Sequence, residues 1–123
     1  MLLVLLVSIA GGLGAVCRFV LDTLVRRRTS GSFPVGTVII NLSGSFLLGL
    51  VTGLATGQLL PESWRAVVGT GFLGGYTTFS TASFETVRLL ERGRYRAALF
   101  NGIGVLALAL LAAGAGLFVG LAL

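Results

Sequence analysis

Four long apolar runs, interrupted only by short polar stretches, constrain this chain more than any other feature. The hydrocarbon core of a bilayer is about 30 Å thick and takes roughly 20 apolar residues per helical crossing. The runs cover about residues 2–25, 34–57, 64–90 and 97–123, and so use nearly all of the 123 residues. The expected fold is an all-α membrane protein, a single four-helix transmembrane domain spanning 1–123 with short loops and no room for a second domain. Composition agrees. Soluble domains carry about a quarter charged residues, whereas this chain has 11% and is 55% hydrophobic.

The connections carry recognisable punctuation. RRRTSGSF closes the first run, and Pro34 suits the opening turn of the second helix, where its missing N–H costs nothing. QLLPESWR turns the chain back, Trp64 fits a membrane interface, and ERGRYR joins the third run to the fourth. The N-terminal MLLVLLVSIAGG looks like a signal-peptide core, but it lacks a basic leading region and the apolar pattern continues past Gly12, so it is expected to be retained. No internal repeat is visible, and any inverted-repeat symmetry of the kind transporters use would have to come from a second chain.

A net charge of +5 invites comparison with nucleic-acid binders. The nine basic residues are all arginines in loops or at helix ends, however, without an aromatic-lined basic surface, and membrane orientation explains them better. With four crossings, the two termini and the second connection share a side, which carries Arg65. The opposite side carries Arg26, Arg27, Arg28, Arg92, Arg94 and Arg96, with Arg88 nearby. The positive-inside rule then puts both termini outside. The chain has no histidine, and its one cysteine, Cys17, lies in an apolar run; an internal disulfide is impossible, a zinc site is not expected and Cys17 reads as packing. No nucleophile with a base and no nucleotide motif suggests an enzyme.

The polar residues inside the apolar runs carry the chemistry. In the second run Thr37, Asn41, Ser45, Gly49, Gly53 and Gly57 recur every four residues and share one helical face, half polar stripe and half packing groove. For Thr37 and Ser45 two readings stand: hydroxyls bonded to their own backbone in a packing seam, or donors along a pathway. The Asn41 amide cannot be satisfied within its own helix, and lipid offers it no partner, which favours function. In the third run GTGFLGGYTTFSTASFE sets Gly74 and Gly75 before Thr77, Thr78, Ser80 and Thr81, so an unwound break is expected, with carbonyls able to meet a hard cation. A kinked but closed helix is the alternative. Glu85 with Arg88, and Arg18 with Asp22, are spaced to neutralise each other at helix ends. Asn101, early in the fourth run, fits an interface anchor or a pathway residue.

Three segments, GGLGAVCRF, PVGTVIINLSGSF and GFLGGYTTFST, together resemble the Fluc/CrcB fluoride channels, small four-helix bacterial membrane proteins that work as antiparallel dimers. The resemblance implies a channel for passive fluoride efflux from the cytoplasm across the bacterial cell membrane. It implies two pores per dimer, each built from both subunits, and a structural sodium ion at the dimer centre held by main-chain carbonyls. Carried across residue by residue, sodium falls on Gly74 and Thr77, and the pore on Asn41, Phe79, Ser80, Thr81 and Glu85, with Thr37 the further candidate. The chemistry is sound, since fluoride's water must be replaced by N–H and O–H donors and by the positive edges of aromatic rings.

Two positions depart from that pattern. The family's second phenylalanine is Ala82 here, with Phe84 two positions too late, and a hydroxyl expected in the fourth helix is Val105, followed a turn later by Ala109. One complete pore lining cannot be assembled from this chain alone. The one-sided arginines and these gaps point to an antiparallel dimer with an oppositely oriented paralogue, a homodimer being the alternative. A non-conducting scaffold subunit is the second reading of function. A small proton-coupled multidrug exporter is the third, but it needs an embedded carboxylate in the first helix, where only Asp22 is available, at the end.

Overall fold

The computed structural model describes residues 1–31 and 33–123; Ser32, in the connection RRRTSGSF, lies outside them. Helix α1 is Leu2–Arg28 and α2 is Val35–Thr56. Helix α3 covers residues 62–76 and changes hand-hold along its length. It opens as an α turn, Glu62–Arg65, runs as a π-helix over Ala66–Leu73, and closes as an α turn, Gly74–Tyr76. Helix α4 is Phe79–Glu91, and α5 is Tyr95–Ala122 with a π-helical stretch at Phe100–Gly104. No strand occurs among the described residues.

Helices α1, α2 and α5 are each long and apolar enough to cross a bilayer. Helix α4, with 13 residues, is about 20 Å long at 1.5 Å per residue. The surface reads as lipid-facing. Large apolar side chains along α1 and α5, such as Leu13, Phe19, Leu110 and Phe118, are exposed, while the largest fully buried side chains among the described residues are Ile40 and Leu89. Together these features make the chain a multi-pass membrane protein.

Lipid supplies no hydrophobic drive for one helix to leave it for another, so close backbone packing must hold the bundle. Two seams do this. Between α1 and α3, a Cβ on Gly75 would overlap the Gly11 carbonyl, and Gly71 lies against Val7. Between α2 and α5, a Cβ on Gly49 would overlap the Ala113 carbonyl, and Gly116 and Gly120 meet Phe46 and Leu50 in turn. In both seams the paired residue numbers climb together, so α1 is parallel to α3 and α2 to α5. The chain therefore reverses direction at each polar connection, and the α1–α2 connection lies at the same end as the α4–α5 connection. Phe33 and Phe100 clasp that end, their ring centroids 5.8 Å apart.

Candidate functional site

Between α3 and α4 the backbone opens. Thr77 (φ −80°, ψ 158°) and Thr78 (φ −148°, ψ 118°) are extended, and three diversions of hydrogen bonds explain how an open segment survives among apolar helices. The Thr78 N–H, which a continuous helix would give to the Gly74 carbonyl, donates to Asn41 Oδ1 at 2.8 Å. The Thr78 carbonyl accepts from Asn41 Nδ2 at 2.8 Å, so one side chain of α2 satisfies both backbone groups of Thr78. The Thr81 N–H, which would otherwise reach the Thr77 carbonyl, donates to Thr78 Oγ1 at 3.2 Å and caps α4. Gly74 and Thr77 thus lose the donors a continuous helix would send to their carbonyls. Uncommitted carbonyl oxygens are hard ligands of the kind a small cation prefers, and this donor set fits the sodium ion that the resemblance implies.

The other candidate residues divide by direction. Gly74, Phe79 and Ser80 are exposed, Phe79 at 84% of its free surface, while Thr81 is half-buried. Thr37 is buried and donates through Oγ1 to Glu85 Oε1 at 2.6 Å, so it is not bonded to its own backbone as a packing seam would have it. A groove of about 280 Å³ is lined by Asn41, Ser45, Thr77, Thr78, Phe79 and Ala82 together with Asn101 and Val105 of α5. The two positions that depart from the family pattern therefore face one space.

The charge pairing expected from spacing is corrected. Asp22 is bonded to Arg26, Nε to Oδ2 at 2.9 Å, instead of to Arg18. An acid four residues before a base suits the helix dipole better than the reverse order, which favours Asp22–Arg26 over Arg18–Asp22. Glu85 faces Thr37 and, at 4.0 Å, Arg26 Nη2, while Arg88 lies over the Phe84 ring at 5.9 Å instead of on Glu85. Asn101 is buried and donates to Thr86 Oγ1 at 2.9 Å, making it a tie between α4 and α5 instead of an interface anchor.

Sequence reasoning did not reveal Arg26, Thr86 or the Ser43–Tyr76 contact of 3.0 Å. The favourable order of Asp22 and Arg26 was the available signal for the first; contacts between helices far apart in the chain leave none.

Similarity to known proteins extends over nearly the whole chain. The family model for CrcB-like protein, Camphor Resistance (CrcB), matches residues 5–117. The chain is 63% identical over 119 residues to "Fluoride-specific ion channel FluC 1" of Leifsonia xyli subsp. xyli, covering 97% of this chain and 87% of that one. It is 44% identical over 115 residues to "Fluoride-specific ion channel FluC 3" of Bifidobacterium longum, covering 94% and 95%. A similar match, 44% over 120 residues, is to "Fluoride-specific ion channel FluC" of Methylobacterium nodulans, covering 97% and 96%. With the opened α3–α4 segment and the two glycine seams in place, these matches establish that the chain belongs to the CrcB-like family.

Proposed function

We propose that the chain is a subunit of a fluoride-specific ion channel that lets fluoride leave the cytoplasm passively, and is not an enzyme. The observation that carries the reading is the Asn41–Thr78 clasp. It holds open a backbone segment rich in N–H and O–H donors at the point where α2, α3 and α4 meet, beside a groove that Phe79 also lines. Helices α3 and α4 then form one crossing interrupted at Thr77 and Thr78, completing a single four-helix domain. Asn41, Phe79, Ser80, Thr81, Glu85 and Thr37 line the route, where the Asn41 amide and the Ser80 and Thr81 hydroxyls would replace the water of a small, strongly hydrated anion. The carbonyls of Gly74 and Thr77 would hold a structural sodium ion, whose positive charge would fix two subunits at the break.

The exposed Gly74, Phe79 and Ser80 are read as the face that meets the second subunit of an antiparallel dimer. The arginine bias favours a partner of opposite orientation, with both termini of this chain outside. A second reading, a scaffold or half-pore subunit, is supported by Ala82 and Val105, which leave their shared groove without the phenylalanine and hydroxyl of the family pattern. The exporter reading is not supported, since the Asp22 carboxylate is ion-paired with Arg26.

Fluoride efflux from liposomes holding this chain alone, then with a paralogue of opposite charge bias, tests the assignment. Efflux in either preparation supports the channel, and efflux that appears only in the second supports the heterodimer. An Asn41-bearing chain that passes no fluoride in either preparation overturns it.

A further inference from the structure

At the end of the molecule where α1 meets α2, two cavities abut. The outer one, about 290 Å³, is bordered by Asp22, Arg26, Glu85, Arg88 and Arg92. The inner one, about 220 Å³, is bordered by Arg18, Asp22, Thr37, Thr78 and Thr81 and reaches the opened segment. Asp22 borders both, and Glu85 of the outer cavity is hydrogen-bonded to Thr37 of the inner one. The boundary thus consists of two carboxylates from different helices. Arg26 stands between them, its Nε 2.9 Å from Asp22 Oδ2 and its Nη2 4.0 Å from Glu85 Oε2.

Two carboxylates at a narrowing repel an anion, and low-dielectric walls focus that repulsion. We propose that Arg26 is the charge-balancing residue of the channel mouth: by offsetting one of the two negative charges of Asp22 and Glu85 it keeps the boundary between the two cavities passable to a small anion. The inference rests on the fluoride-channel reading. Three guanidiniums and two carboxylates border the outer cavity, a net formal charge of one positive, and loss of Arg26 brings it to zero. Arg26 acts through field and position, without a place in the donor lining itself. Its side chain is 63% exposed and that of Glu85 13%, so the guanidinium sits on the water side and the carboxylate on the protein side.

The alternative is that Arg26 is only a tie between α1 and α4. The two roles separate in a double variant. Fluoride efflux would be measured in liposomes, with the partner subunit present if the chain needs it, for the parent, Arg26→Gln, Arg26→Lys and the double variant Asp22→Asn with Arg26→Gln. Arg26→Gln is expected to lower efflux at low salt by about tenfold or more, and Arg26→Lys to keep most of it. The double variant removes the tie but restores the positive balance, so it recovers efflux if charge is what matters and stays low if the tie is. The deficit of Arg26→Gln should also shrink between about 0.01 M and about 1 M salt, as the screening length falls from roughly 30 Å to 3 Å. A conducting parent with an equally conducting Arg26→Gln, or a double variant no better than the single, overturns the inference alone. A parent that passes no fluoride overturns the channel reading and this inference with it.

Discussion

Asn41 is the residue on which the site turns, because a single amide meets both the N–H and the carbonyl of Thr78 from another helix. Each such bond contributes about 1 kcal/mol net, so Asn41→Leu should cost on the order of 2 kcal/mol. Thr78→Val leaves that clasp alone and removes the cap on Thr81 together with a long 3.5 Å contact to the Ser80 hydroxyl, at a cost of about 1 kcal/mol. Thermal unfolding in detergent ranks the two, and a Thr78→Val protein as unstable as Asn41→Leu would show that the clasp is not what holds the segment. Asn41 was legible in the sequence because an amide deep in an apolar helix demands a partner. The partner was not, since it lies 37 residues away. The Arg18–Asp22 expectation failed for a different reason: two basic residues lie four positions from Asp22, and the order that suits the helix dipole singles out Arg26.

At the scale of elements, the glycine seams set how closely α1 meets α3. Gly75→Val puts a side chain where the Gly11 carbonyl lies, whereas Gly12 has nothing within 4 Å of its Cβ position. Gly75→Val should therefore fail to assemble, and Gly12→Val should run on gel filtration as the parent does; the opposite ranking would contradict the packing described. The length and placement of α1, α2 and α5 followed from apolar runs and polar connections. The π-helical stretches did not, because a shift from four-residue to five-residue bonding leaves no mark on hydrophobic spacing over so few turns. The Gly74 N–H reaches back to the Gly69 carbonyl, a five-residue bond that apolar spacing does not encode. The diverted donors at Gly74 and Thr77 lead to another expectation. Exchanging sodium for a bulky organic cation during purification should weaken subunit association, and an unchanged dimer by gel filtration would remove sodium from the account.

For the whole molecule, the parallel pairing of α1 with α3 and of α2 with α5 gathers the arginines of the α1–α2 and α4–α5 connections at one end, where Arg26, Arg88 and Arg92 border the outer cavity. An orientation fixed by those arginines predicts that a reporter fused to the C-terminus is found outside the cytoplasm; a substantial cytoplasmic fraction would favour a dual-orientation homodimer instead. Family membership was legible in three short motifs. What Ala82 and Val105 do to the pore was not, because they lie on different helices that meet around one groove only in the folded chain. The central claim is selective passage of fluoride, and its most direct test is parallel measurement of fluoride and chloride efflux from liposomes containing the assembled channel, with Asn41→Leu and Phe79→Ile as variants. The account predicts rapid fluoride efflux, little chloride efflux, and slowed fluoride efflux in both variants. Chloride efflux comparable to fluoride, or variants that match the parent, would contradict it.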